Sequence, residues 1–315
     1  MSTDTLLASL LQRVIALEEA SGGGGSSSAG TIQDETGEFI TPTRNDFVTA
    51  VAGSTRGTYA VDLQMVRSFA SRAATGYQSA IVSGQDNTSG GSRSFVGAGR
   101  TNDSSGQSSF VGAGESNSVY ALGASIVGGN LNQILSSLSF YSAILGGQNN
   151  EVNASHASVL GGRYANARHY GSIAHAGNRF SNLGDCQREV CIFGNPLTSA
   201  ALTELFLDNS NDRFDLENDD GYKIDVSAFA FRDNLTDYAH WSHSGIIATK
   251  NGSGNVVVSN GLAAAAPDGS SGTGSTLDLT IDADTTNQTV RVQGAGNASE
   301  TWRMVVVFDV VRINF

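Results

Sequence analysis

The residues best suited to chemistry lie in the second half of the chain. "DNSNDRFDLENDD" (208–220) gathers five Asp and one Glu, an oxygen-rich run of the kind calcium takes. The D-x-[DN]-x-[DN]-G order with its late Glu is missing, so the run reads as solvated loop and no metal is assigned to it. "DYAHWSH" (237–243) holds Tyr238, His240, Trp241 and His243, the one concentration of rings and imidazoles. The two His are three apart and point to opposite faces of a strand, poor geometry for one ion. Trp241 and Tyr238 could form a stacking platform for a sugar, which makes these four residues the candidate receptor contact, although such rings are more often core or interface anchors. His156, His169 and His175 read as surface or corner positions, although His stacked on a three-fold axis would trap an ion. Cys186 and Cys191, five apart, fall on opposite faces of a strand and roughly 16 Å from one another. That is too far for a bridge within the chain, so both are expected reduced and partly packed.

Catalysis finds little support. A glycosidase needs two carboxylates about 5–10 Å apart across a groove, and no particular pair among so many acids stands out. No G-x-S-x-G elbow joins a strand to a helix. "GAGRTN" and "GAGESN" lack the G-K-[ST] ending and the helix that would cradle phosphate, so they read as structural turns. No catalytic residue, cofactor or metal is assigned.

Such residues must be held by a β framework. Of 315 residues 38 are Gly and only three are Pro, charge is low at 15%, and Ser, Thr and Asn abound. That mixture favours strands and tight turns over helices. Net charge is −12, and residues 201–315 carry 16 Asp and Glu against 7 Lys and Arg, a net of −9. Such a surface repels nucleic acid and anionic lipid, and no apolar stretch reaches membrane-spanning length. The N-terminus has no basic region before its apolar run, so synthesis in a cytoplasm without signal-directed export is expected.

A repeat dominates the middle. "SAIVSGQDN" (79–87) returns as "SFVGAGRTN", "SFVGAGESN", "ASIVGGNLN", "SAILGGQNN" and "ASVLGGRYA", then degenerates to "SIAHAGNRF". Its turn glycines are Gly84, Gly99, Gly114, Gly129, Gly147, Gly162 and Gly177, spaced 15, 15, 15, 18, 15 and 15. A short fixed period without proline or a helical stripe predicts a β-solenoid. Each unit is one coil that buries its apolar pair only when another stacks about 4.8 Å above it, giving a rod of roughly 30 Å. Gly and Asn are expected at the left-handed corners. The three extra residues in the 18-residue interval predict a bulged corner or loop. Coils this thin are expected to meet sister chains through their outer apolar side chains.

Leu7, Leu10, Val14 and Leu17 follow coiled-coil spacing, and "SGGGGSSSAG" (21–30) reads as a flexible linker. A helix of two heptads needs partners, so it is expected to trimerise or to anchor the protein to a particle. Beyond the repeat, "YKIDVSAFAF", "YAHWSHSGIIATK", "GNVVVSN", "STLDLTID", "QTVRVQG" and "WRMVVVFDVVRINF" read as strands. They predict an antiparallel sandwich of jelly-roll type. The last strand, apolar on both faces, is expected centrally in a sheet or at a subunit interface.

"GYQSAIVSGQDN" and its successors resemble the left-handed parallel β-roll repeats of trimeric autotransporter adhesin heads. "RGTYAVDLQMVRS" (56–68), these repeats and "TELFLDNS" (203–210), taken in order, are similar to fibre proteins of tailed bacteriophages and related large viruses. The resemblance covers about residues 56 to 315. It implies a homotrimer with a β-roll shaft and a globular tip that meets the host.

The whole is therefore read as all-β: a trimeric left-handed parallel β-roll shaft, a C-terminal jelly-roll-like sandwich and a short N-terminal coiled-coil helix. The expected layout is helix 1–20, linker 21–30, lead-in 31–75, shaft 76–182, connector 183–200 and tip 201–315. The function expected is a virion fibre on the particle surface. Residues 1–20 would bind a tail or capsid protein, and the tip a host glycan or protein, three weak contacts on one shaft gaining avidity. A polysaccharide-degrading tailspike is the first alternative. A bacterial trimeric adhesin, hinted at only by the terminal Phe315, is the second.

Overall fold

A computed structural model describes residues 32–33, 39–40, 56–64, 66–135 and 138–314. The chain divides into two compact units, 1–48 and 49–315. In the first, Ile32–Gln33 pairs antiparallel with Phe39–Ile40. The expected helix with Leu7, Leu10, Val14 and Leu17, and the linker after it, lie outside the described residues. Among the described residues the only helical element is a 3-10 turn, Gly272–Thr276.

The second unit opens as a parallel β-solenoid of about eight turns. Each turn contributes a short strand to a first ladder, from Val61–Asp62 through Ala80–Ile81 to Ile173–Ala176. A second ladder runs from Thr88–Ser89 to Asn166–Ala167. Between them, single-residue bridges link Val66, Gln85, Arg100, Glu115, Asn130, Gln148 and Arg163. Because Val61 already pairs with Ala80, the solenoid starts one turn before residue 76. The 18-residue interval keeps register, with Ile126 opposite Ile144, so the extra residues are absorbed between Ile134 and Ala143.

Only one member of each apolar pair is interior. Ile81, Val96, Val111, Ile126, Ile144 and Val159 are fully buried, whereas Val82, Val127, Leu145 and Leu160 are about half exposed, at 48%, 51%, 52% and 56%. The alternation of a strand forces this, since neighbours point to opposite faces.

The asparagines take a role other than the expected corners. Asn87, Asn102, Asn117, Asn132 and Asn150 are buried and form a continuous internal ladder. Asn117 Nδ2 donates to the Ala113 and Gly129 carbonyls at 3.1 and 3.0 Å, and its Oδ1 accepts the Asn132 N–H at 3.1 Å. The left-handed corner falls instead on the residue before each Asn: Asp86, Thr101, Ser116, Leu131 and Asn149. The glycines do bend the chain. At Gly114 (φ +100°) a Cβ would lie 2.1 Å from the Gly129 carbonyl oxygen, and Gly84 through Gly162 share this constraint. Gly177 does not extend the series: its φ is not left-handed and nothing lies within 4 Å of where its Cβ would be.

Glutamine side chains cap the second ladder at both ends. Gln64 exchanges hydrogen bonds with the main chain of Asn87 at 2.8 and 3.1 Å, and Gln187 does so with Asn166 at 2.8 and 2.8 Å. Each amide mimics one peptide of a further strand and covers an edge that would otherwise offer unpaired groups.

The tip strands are β1 (Cys186–Leu197), β2 (Leu202–Glu204), β3 (Phe214–Asp215), β4 (Asp220–Arg232), β5 (Tyr238–Lys250), β6 (Val256–Ser259), β7 (Leu262–Ala265), β8 (Gly269–Ser270), β9 (Asp278–Asp284), β10 (Thr289–Ala295) and β11 (Trp302–Asn314). The stretch expected as a connector is thus mostly the twelve-residue β1. It lies antiparallel on the last solenoid strand and carries the first ladder into the tip, in the order β6-β5-β4-β11-β1. The apolar β11 is central in that sheet. A second sheet, β2-β10-β9-β7, faces it over one core that includes Phe193, Trp241, Leu279, Val292 and Phe308. The first tip strand pairs with the last and the second with the penultimate. However, β4, β5 and β6 then follow one another within one sheet as a meander, which is not the alternation of a jelly roll.

Candidate functional site

The residues expected to meet a receptor do not form one surface. Trp241 is 3% exposed, with its indole N–H donating to the Ala265 carbonyl at 2.8 Å, so it is a core residue. Tyr238 is exposed, while His240 and His243 are half-buried and the latter's Nε2 sits 2.9 Å from the Asn260 carbonyl. A β-bulge after His243 adds an extra residue opposite β4, which re-aims the following side chains.

The acidic run 208–220 divides by role. Asp208 Oδ1 accepts the N–H groups of Ser210, Asn211 and Asp212 at 2.8–2.9 Å and shapes its own loop. Asp220 is buried beside Arg312, whose Nε donates to it at 2.5 Å, and Tyr222 donates its hydroxyl to the same oxygen at 2.7 Å. Asp212, Asp215 and Asp219 are exposed.

The outer apolar side chains expected from the repeat line the outer face of the long sheet. Each turn from Ala80 onward places one bulky apolar side chain there: Val82, Phe95, Phe110, Val127, Leu145, Leu160 and Ile173 from successive coils. Where glycine holds the third strand position, at Gly97 and Gly112, the first holds Phe95 and Phe110, whose rings stack with centroids 5.4 Å apart. The series continues onto the tip through Ile192, Val305, Val311, Phe229 and Phe231, all exposed by 38–53%. Exposed apolar surface this continuous marks an interaction face. A groove of about 380 Å³ at its margin is lined by Tyr170, Ile192, Phe206, Asp208, Asn209 and Val305.

Where coil meets tip, three side chains converge in the interior. His169, expected at the surface, is 4% exposed and is enclosed with Glu189 and Cys191. Burial draws the imidazole toward its neutral form, and the Glu189 carboxylate outweighs it, so the His169 pKa is raised. Burial likewise pushes the Cys191 thiol well above its ordinary value. Both cysteines are free, Cys191 buried and Cys186 partly so, as their opposite strand parity requires.

Nearby, burial pushes the Asp185 carboxyl up, but main-chain N–H groups of Ser181, Asn182 and Phe180 donate to it at 2.6, 2.6 and 2.9 Å and the net shift is downward. Asp284 is lowered too, chiefly by Asn287. Between these lowered values and the ordinary ~3.9, the unfolded chain binds more protons than the folded one, so stability rises with pH there. The urea midpoint is therefore expected to fall as pH drops below about 4. An Asp185→Asn variant should show a shallower acid decline in the same titration.

No family model and no curated protein matches the chain. Among solved structures, the crystal structure of the Acinetobacter phage vB_ApiP_P1 tailspike protein is similar over 81% of this chain, at 10% identity and a TM-score of 0.20. The match takes in 54% of that protein, so the chain spans about half its length. Likeness at this level carries no functional argument. The solenoid stands on its own pairing.

Proposed function

We propose that the chain is one subunit of a homotrimeric virion fibre, its solenoid a stiff shaft and its C-terminal layers a tip that touches the host surface. The observation that carries the reading is the apolar face running from Val82 along the coils to Val305 and Phe229. A face that repeats with the coil period, one bulky side chain per turn, suits a sister copy in the same register better than an unrelated globular partner. Three copies closed about an axis would bury three such faces at once and leave none exposed. Residues 1–20 would attach the fibre to a tail or capsid protein, and a host glycan or protein would be held by three tips together.

Light scattering on the purified chain is expected to give about three times 32.6 kDa. Val305→Asp combined with Phe229→Asp places three pairs of charges in the dry interface and is expected to weaken assembly at least about a hundredfold. A monomeric wild-type chain at micromolar concentration would overturn the trimer. Release of new reducing ends from host capsule or lipopolysaccharide would favour the tailspike hydrolase over the adhesive fibre.

A further inference from the structure

We propose that His169, Glu189 and Cys191 form a structural zinc site that ties the last solenoid coil to the first strand of the tip. Their ligand atoms, one imidazole nitrogen, one carboxylate oxygen and one sulfur, all lie within 4.8 Å of one another. All three residues are buried, at 4%, 2% and 0% exposure. Glu189 and Cys191 stand two apart on β1 and so share its inner face, while His169 reaches them from the coil beneath.

The imidazole is held as a metal ligand would be. Its Nε2 lies 2.9 Å from the Asp215 carbonyl, a partner that can only accept, so Nε2 carries the hydrogen. The Phe214 ring stacks on it at 4.3 Å and 18°, fixing its plane. Nδ1 is thereby turned into the cluster. It sits 3.1 Å from Glu189 Oε1 yet makes no aligned hydrogen bond there. A ligating His whose second nitrogen donates to a main-chain carbonyl is the usual outer arrangement of a zinc site.

The donor set points to zinc. Calcium and magnesium take oxygen alone, whereas nitrogen, sulfur and one carboxylate oxygen together suit Zn²⁺. Ligation breaks the Cys191 S–H bond and forms S–Zn, releasing that proton to solvent together with any proton held between His169 Nδ1 and Glu189. The Ser172 hydroxyl, beside the Glu189 carboxylate, or a water would complete four-coordination.

The full chain, expressed with zinc in the medium and purified without chelator, is expected to hold about one zinc per polypeptide by elemental analysis. Cys191→Ala should reduce this about tenfold, and Cys186→Ala should leave it unchanged. Cobalt exchanged into the wild-type protein should give a thiolate-to-cobalt charge-transfer band, and removing the metal with a chelator should lower Tm. These last two readouts need no variant to fold. Absence of zinc, of the cobalt band and of any chelator effect on Tm in the wild-type chain would overturn the site and leave a proton-bridged His169–Glu189 pair. Zinc retained in full by Cys191→Ala would overturn it as well, by showing surface binding.

Discussion

Asn117→Ala is expected to lower the unfolding free energy by about 3–4 kcal/mol, read as a fall in urea midpoint at unchanged slope. The side chain serves two groups that have no other partner. The Asn132 N–H donates only to Asn117 Oδ1 at 3.1 Å, and the Ala113 carbonyl accepts from its Nδ2 at 3.1 Å. The Gly129 carbonyl, also bound by Asn117, keeps the Glu115 N–H at 3.0 Å and loses less. The buried Asn132 N–H costs about 1–3 kcal/mol when left unpaired, and the part-buried Ala113 carbonyl loses a bond worth about 0.5–1.5 kcal/mol. Asn117→Asp should be at least as harmful, because a carboxylate keeps the acceptor for Asn132 but faces two carbonyls without a hydrogen to offer. Asn130→Ala is the control. That side chain is half-buried, on the outside of the next turn, donates to the Glu115 carbonyl at 3.3 Å and contacts Gln148, and should cost about 0.5 kcal/mol. Equal losses at Asn117 and Asn130 would show that the inner ladder does not hold the coils together.

The repeat was legible because its period is a backbone property. Glycine recurs wherever a Cβ would strike the next coil's carbonyl, so spacing alone reveals stacked coils. The role of asparagine was less visible. Asn is common both at left-handed corners and in buried ladders, and the sequence does not distinguish a residue at the corner from one just after it. The invariant three-residue offset from Gly84 to Asn87, and again from Gly114 to Asn117, was the available signal. The length of strand β1 and its place in the tip sheet escaped notice for a different reason. Its inner face begins with Gln187 and Glu189, which cap the solenoid, and only then becomes apolar with Cys191 and Phe193. A strand that ends one core and begins another shows no clean alternation. The side that Trp241 faces stayed open because an aromatic beside two His looks the same in sequence whether it faces solvent or the core.

In the proposed trimer the two apolar faces of the long sheet would answer to different partners, which would account for the hydrophobic residue that each coil leaves outside. The inner series, Ile81 to Val159, is satisfied by the next coil of the same chain. The outer series, Val82 to Ile173, has no such cover within the coils and would be buried by a sister copy in the proposed trimer. Strand β1 extends the same ladder onto the tip, where Ile192, Val305 and Phe229 share that face with the Arg188–Asp309 and Lys223–Asp225 pairs. A mismatch in either series would therefore appear differently: an inner defect as lost folding stability, an outer one as lost assembly.

Arg312→Met is expected to cost about 3–5 kcal/mol, the range for leaving one member of a buried ion pair without the other. Arg312 is 2% exposed near the C-terminal end of β11 and joins Asp220, Glu217 and the Tyr222 ring into one network, with Arg168 bridging Glu217 from the solenoid at 2.8 Å. Removing the guanidinium takes its positive charge away from the buried Asp220, to which the Tyr222 hydroxyl stays bound. Burial pushes the Tyr222 hydroxyl's pKa far above its ordinary value, so it remains a neutral donor and cannot supply the missing charge. The double variant Arg312→Met with Asp220→Asn should regain about half or more of the loss, because the carboxylate charge that Arg312 offsets is then removed with it. Chemical denaturation at matched protein concentration separates this effect from any change in assembly. A double variant no more stable than Arg312→Met would show that the arginine acts through packing alone rather than by neutralising Asp220.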